Sequence, residues 1–194
     1  MRCGVLALQG DWAAHGRVLT GLGVAVVPVR TAAELAGVDA LVMPGGESTA
    51  MLRLMAAEQL DERLTARIRA GLPVLATCAG VILLAATVRP AQPSLKVLDV
   101  DVERNAYGRQ LRSAVAELQL AAELGGNGSG RGVFIRAPRV LRVGPNVRVL
   151  GRRGADPVLL CQDRIVAATY HPELTGDLRV HRLLLQVAEE ARDE

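Results

Sequence analysis

The sequence predicts an α/β fold: a single-domain three-layer sandwich, with a mostly parallel central sheet, helices on both faces and additional antiparallel strands in the second half. Three observations carry this reading. Roughly the first 90 residues alternate short apolar runs with helix-like stretches, the order that parallel strands and their crossover helices require. The runs are continuously apolar rather than alternating, so both faces of the sheet must be covered. The length of 194 residues suits one domain over 1–194, and half of them are hydrophobic while only 2% are aromatic, so the core must be aliphatic.

Taken in order, CGVLAL (3–8) reads as a buried strand closed by Gln9 and Gly10, and 13–22 as a helix ended by Gly23. VAVVPV (24–29) is the second strand, and its Pro28 places it at a strand end or a sheet edge. DALVM (39–43) is the third strand, followed by PGGES. A helical stretch over 49–70, broken near Gln59 and Leu60, leads to the strand PVLAT (73–77) and a helix over 79–87. In the second half VLDVDVE (97–103), SAVAELQL (113–120), GVFIRA (132–137), NVRVLG (146–151), PVLLC (157–161) and IVAATY (165–170) are strand-like, and several are expected to pair antiparallel. A last helix covers 176–191, with Leu178, His181, Leu184, Leu185 and Ala188 at helical spacing.

Composition excludes several classes of function. The net charge is +3, Lys96 is the single lysine, and the arginines are scattered among acids. No basic block interleaves with aromatics, so no nucleic-acid partner is expected. Cys3, Cys78 and Cys161 form no CxxC pair, and their odd number argues against a disulfide framework. No run approaches the ~18 apolar residues of a membrane span, and the apolar start is too short for a signal peptide. A reducing cytoplasm is the expected setting, without a membrane. GGNGSGRG (125–132) lacks the Gly-Lys-Ser/Thr end of a phosphate-binding loop and is expected to be a mobile surface loop. No nucleotide, metal or other cofactor is expected.

Chemistry concentrates at three strand ends. In LPVLATCAG (72–80), Cys78 falls where a strand becomes a helix. Such a corner lifts a nucleophile out of the sheet edge, aims following N–H groups at the same space, and sets the thiol near a helix N-terminus. Ala76-Thr77-Cys78-Ala79-Gly80 has the small-x-nucleophile-x-small form of a nucleophile elbow. A lone cysteine is commonly only a small buried hydrophobe, and Cys3 and Cys161 fit that description. His171, in TYHPEL, supplies a candidate base, and Glu173 two residues on faces the same side of an extended segment. Glu173 is thus placed to orient an imidazole that takes the thiol proton. His15 and His181 lie in helices with no carboxylate so placed and read as structural or surface residues. PGGES (44–48) offers paired glycines for close backbone approach and N–H groups for an oxyanion. It is equally an ordinary strand-to-helix turn with Ser48 or Thr49 as N-cap.

Together, GVLALQGDWAAH, LVMPGGESTAM, PVLATCAGVILLA, VERNAYGRQ, GVFIRAP and YHPELTGDLRVH resemble the class I (triad) glutamine amidotransferases, and more narrowly the glutaminase subunits of pyridoxal 5′-phosphate synthases. The resemblance spans residues 4 to 181. It implies hydrolysis of L-glutamine through a cysteine thioester, with Cys78 as nucleophile and His171 and Glu173 completing the triad. It implies an oxyanion hole from the N–H groups of Gly46 and Ala79. Gly46, Glu47, Ser48, Arg104, Ile135 and Arg136 would form the glutamine site, although the two arginines read by themselves as solvated charges. Gln9 would lie near the interface with a separate synthase subunit, a (β/α)8 barrel that uses the ammonia with a pentose phosphate and a triose phosphate, in a hetero-oligomer. The glutaminase of another synthase, such as that of imidazole glycerol phosphate, or a cysteine peptidase on a similar sheet, would use the same triad. Two stretches depart from the pattern: TVRPAQPSLKVLDV (87–100), with Lys96 where glycine is usual, and GGNGSGRG. Both are expected to alter only local loop shape.

Overall fold

The computed structural model describes residues 1–106 and 114–193. In chain order its elements are β1 (Arg2–Leu6), α1 (Trp12–Gly21), β2 (Ala25–Val29), α2 (Ala32–Ala36), β3 (Ala40–Met43), α3 (Ser48–Ala57), α4 (Leu60–Arg69), β4 (Val74–Thr77), α5 (Ala79–Leu84) and β5 (Ala85–Arg89). There follow β6 (Leu98–Glu103), β7 (Ala114–Leu120), β8 (Ser129–Phe134), β9 (Arg139–Val143), β10 (Arg148–Arg153), β11 (Asp156–Gln162), β12 (Ile165–Ala168) and α6 (Arg179–Asp193). Single 3₁₀ turns cover Ala122–Leu124 and Pro172–Leu174.

Nine strands form the main sheet in the order β2-β1-β3-β4-β12-β11-β10-β7-β8. From β2 to β12 every pairing is parallel, and from β12 to β8 every pairing is antiparallel. A second sheet of three strands, β5-β6-β9, pairs parallel and then antiparallel. The apolar runs are explained by two cores. Along β4, Val74 and Ala76 join the core beneath α2, α3, α4, α5 and the small sheet, whereas Leu75 joins the core beneath α1 and α6. Strands β3 and β12 divide in the same way, so neither face tolerates a polar alternation. Pro28 lies in β2, the outermost strand, where a missing N–H costs no ladder bond.

Several expectations need correction. The helix read over 79–87 ends at Leu84, and the chain continues directly into β5. GGNGSGRG is a turn only to Gly128, and Ser129–Gly132 already pair with β7. The helical stretch does break where expected, since Gln59 adopts a left-handed φ of 52° between α3 and α4. The buried stripe of α6 is Val180, His181, Leu184, Val187 and Ala188, while Leu178 precedes the helix. Lys96 has φ 52°, a left-handed conformation that glycine adopts more readily than lysine. Helix α2 and strands β5 and β9 have no counterpart among the elements the sequence predicts. The first residue of SAVAELQL and the last four of VERNAYGRQ lie outside the described residues.

Candidate functional site

Strand β4 is buried to its end at Thr77, and α5 begins at Ala79. Cys78 between them has φ 48° and ψ −104°, a strained backbone for an L-residue. Its N–H donates to the Ala168 carbonyl at 2.8 Å, so the pairing of β4 with β12 holds the corner in place. Gly80 is required by this corner, because a Cβ there would strike the carbonyl oxygen of Met43. The Cys78 side chain is nearly buried, with Sγ 3.8 Å from the carbonyl oxygen of Ile135.

His171 arrives from β12, the strand beside β4. Its N–H donates to the Val133 carbonyl at 2.8 Å, which ties it to β8. Its Nδ1 is 2.7 Å from Oε1 of Glu173, whose side chain is only 1% exposed. Burial alone would lower the basicity of this imidazole. Hydrogen bonds to Cys78 and Glu173, reinforced by their charges, outweigh burial and push its pKa up to about 10. At neutral pH the ring therefore carries a proton.

The 44–48 loop forms the opposite wall. A side chain at Gly45 would collide with the His171 imidazole. The Gln9 side-chain oxygen accepts the Glu47 N–H at 2.7 Å and fixes the loop. The N-cap of α3 is Glu47, not Ser48 or Thr49: its carboxylate accepts from the N–H of Ala50 at 2.7 Å and of Thr49 at 3.2 Å. The Thr49 hydroxyl, followed by these N–H groups, holds the Glu47 carboxyl below the usual range. Ser48 instead donates its hydroxyl to Oε1 of Gln92 at 3.1 Å. The same oxygen accepts from the Arg104 guanidinium. Gln92 belongs to the stretch expected to alter only loop shape, yet it joins two predicted site residues.

One cavity of about 260 Å³ is bounded by Gln9, Gly46, Glu47, Ser48, Cys78, Ala79, Arg104, Ile135, Arg136 and His171, with Glu173 directly behind the imidazole. Every predicted site residue is thus brought to one place, and Asp11, Ile82 and Asn105 join the lining. A larger cavity of about 680 Å³ lies between α6 and the antiparallel strands. Its charges are mixed, with Arg148 paired to Glu123 and Arg179 to Asp177, and it holds none of these residues. Among the described residues no His, Cys, Asp and Glu cluster is arranged to hold a metal, and no helix is long and apolar enough to cross a membrane.

His15, read from sequence as structural or surface, is wholly buried and touches the site: its Nε2 lies 3.2 Å from Oε2 of Glu173. His181 is equally buried, 3.0 Å from the other nitrogen of His15. No local pattern marks either residue, because the partners lie more than 60 positions apart in the chain.

Comparison with known proteins gives a consistent outcome. The model of the SNO glutamine amidotransferase family matches residues 5–190. The pyridoxal 5′-phosphate synthase subunit PdxT of Thermotoga maritima is 48% identical over 188 residues, covering 96% of this chain and 99% of that one. The PdxT subunit of Frankia casuarinae is 50% identical over 187 residues, covering 95% and 93%. A crystal structure of a glutamine amidotransferase superposes with a TM-score of 0.89 at 44% identity, covering 96% of this chain and 98% of that one.

Proposed function

The chain belongs to the SNO glutamine amidotransferase family, and from this premise we propose that it is the glutaminase subunit of a pyridoxal 5′-phosphate synthase, releasing ammonia from L-glutamine for a separate synthase subunit. The observation that carries the assignment of roles is the convergence of Cys78, the 2.7 Å His171–Glu173 pair and the 44–48 loop on one cavity. At about 260 Å³, that cavity suits a single amino acid better than a peptide segment, being close to the lower end of ~300–1,000 Å³ ligand pockets.

The Cys78 thiolate attacks the side-chain amide carbon of glutamine. A C–S bond forms and the carbonyl electron pair moves to oxygen, where the N–H groups of Gly46 and Ala79 hold it; one such donor is typically worth ~10²–10³ in rate. The tetrahedral adduct collapses, and His171 gives its proton to the departing amine, so ammonia leaves. Water then attacks the thioester, His171 takes its proton, and the C–S bond breaks to give glutamate and the free thiolate. Glu173 keeps the imidazole oriented through both steps. Arg104, held by Gln92, and the Ile135–Arg136 turn position the amino-acid end of the substrate, with Glu47 and Ser48 opposite.

Ammonia released into water at neutral pH is mostly protonated, and ammonium has no lone pair with which to attack. A partner must therefore receive it out of contact with solvent. We infer a (β/α)8-barrel synthase combining it with a pentose phosphate and a triose phosphate, with Gln9 near the contact, in the cytoplasm, where the three free thiols would stay reduced.

The test is glutamate release from glutamine by the parent and Cys78→Ala proteins, each with and without the synthase subunit. Activity in the parent complex and none in Cys78→Ala is expected. A Cys78→Ala complex as active as the parent would refute the assignment.

A further inference from the structure

A buried polar chain stands behind Glu173, and the steps above do not use it. His15, on the inner face of α1 with Leu19, is wholly buried, as is His181 on α6. Nδ1 of His15 is 3.0 Å from Nε2 of His181. Nε2 of His15 is 3.2 Å from both the Thr77 hydroxyl and Oε2 of Glu173. Among the described residues neither Oε2 of Glu173 nor Nδ1 of His181 has a partner in hydrogen-bond geometry, so the His15 nitrogen at 3.2 Å is a close polar contact of an otherwise unpartnered carboxylate oxygen.

We propose that His15 is a positioning residue for the Glu173–His171 pair, its Nε2–H holding the second carboxylate oxygen while His181 donates to its Nδ1 and so fixes that tautomer. The inference rests on the reading of Glu173 as the group that orients His171. Two tautomers are possible for the neutral His15 ring. With the proton on Nδ1, the Nε2 lone pair would face a buried carboxylate oxygen, leaving two acceptors in contact and Oε2 without a donor. With the proton on Nε2, the Thr77 hydroxyl accepts the hydrogen bond and the carboxylate oxygen, also at 3.2 Å, faces the positive end of the same N–H instead of a lone pair. Nδ1 then accepts from Nε2–H of His181, whose own Nδ1 is left as a bare lone pair. That atom is found unpartnered, and a bare acceptor is tolerated more readily than an orphaned N–H. Burial supports the neutral state by lowering the basicity of both rings, to about 4 in each case, although Glu173 opposes it at His15 and Asp177 at His181. The charged or titratable groups facing His15 are Glu173, His171 and His181.

Thr77 adds a second consequence. It immediately precedes Cys78, so the one imidazole contacts both the carboxylate of the triad and the strand that carries the nucleophile. Acting through Glu173, it restricts the carboxylate to the rotamer that meets His171, as outer partners of active-site ligands do.

The test compares His15→Leu and His15→Gln in the complex with the synthase subunit. The glutamine side chain retains an N–H close to the imidazole Nε2; leucine does not. Expected is a ~10–100-fold loss of kcat in His15→Leu, the scale of outer-shell partners, with KM little changed and an altered pH profile of kcat/KM. His15→Gln should recover most of the rate and the parent profile. Nitrogen-15 NMR of histidine-labelled parent protein should find His15 as the Nε2–H tautomer, a readout independent of whether His15→Leu folds. A His15→Leu complex with parent kinetics, equal loss in both variants, or an Nδ1–H tautomer would overturn the inference. A parent complex without glutaminase activity would instead refute the proposed function.

Discussion

Acid should weaken this fold well before its carboxylates titrate, because of its buried histidines. The perturbation is a shift from about pH 7 to about pH 5. In the folded chain His15 and His181 are each lowered from 6.5 to about 4, with burial as the leading cause. A depressed folded pKa contributes stability that is present above ~6.5 and is lost as pH falls toward ~4, because the unfolded chain binds the proton first. At pH 5 each ring then costs about 2 kcal/mol, and the pair about 4, against a total stability of ~5–15. The other shifted groups change this balance by less than ~1 kcal/mol. His171, the third and last histidine, has a raised folded pKa, so its contribution is complete below ~6.5 and lost only toward ~10. The stabilised carboxylates Glu34, Glu47, Asp101 and Asp177 are lowered from values already below 5, so they act at more acid pH. Urea unfolding followed by the fluorescence of Trp12, the single tryptophan, measures the change. His15→Leu/His181→Leu should flatten the dependence, and His181→Leu should halve it. A parent that loses less than ~1 kcal/mol across the interval, or a double variant with the parent's slope, would refute the reasoning.

Three further outcomes follow from the site. Glu173→Gln removes a buried charge-assisted hydrogen bond worth ~1.5–3 kcal/mol, so kcat should fall ~10–100-fold. Because Glu173 helps raise His171, the alkaline limb of activity should move to lower pH; an unmoved limb in a glutamate-release assay would count against the role. Gln92→Ala frees Ser48 and Arg104 from their shared acceptor, so KM for glutamine should rise ~10-fold with kcat nearly constant; a fall confined to kcat would oppose this. Gly45→Ala drives a methyl group into the His171 ring, so activity should be lost while circular dichroism and thermal unfolding remain close to the parent's; full activity would mean that the loop is not pressed against the imidazole.

The parallel half of the fold was legible because β1, β3, β4 and β12 are covered on both sides and so must be apolar throughout. The elbow was legible because small residues flank Cys78, and the His171–Glu173 pair because it is local in sequence. Helix α2 does carry a local signal in the chain. Thr31 and Glu34 form a capping box, with reciprocal bonds of 3.3 and 3.0 Å. Strand β5 was hidden because its AATVR follows a six-residue helix with no glycine or proline at the junction. Gln92, His15 and His181 acquire their roles through contacts that only the tertiary fold creates. No periodicity in the chain encodes a bond across 166 positions.

Strand β8 is the edge of the nine-stranded sheet opposite β2, four strands removed from β12, yet Val133 grips the backbone of His171 just beyond the end of β12. The antiparallel half thus curls round until its rim meets its own root, like a cuff fastened by one button. A push that tilts this outer rim displaces the imidazole's main chain directly, without passing through the strands between.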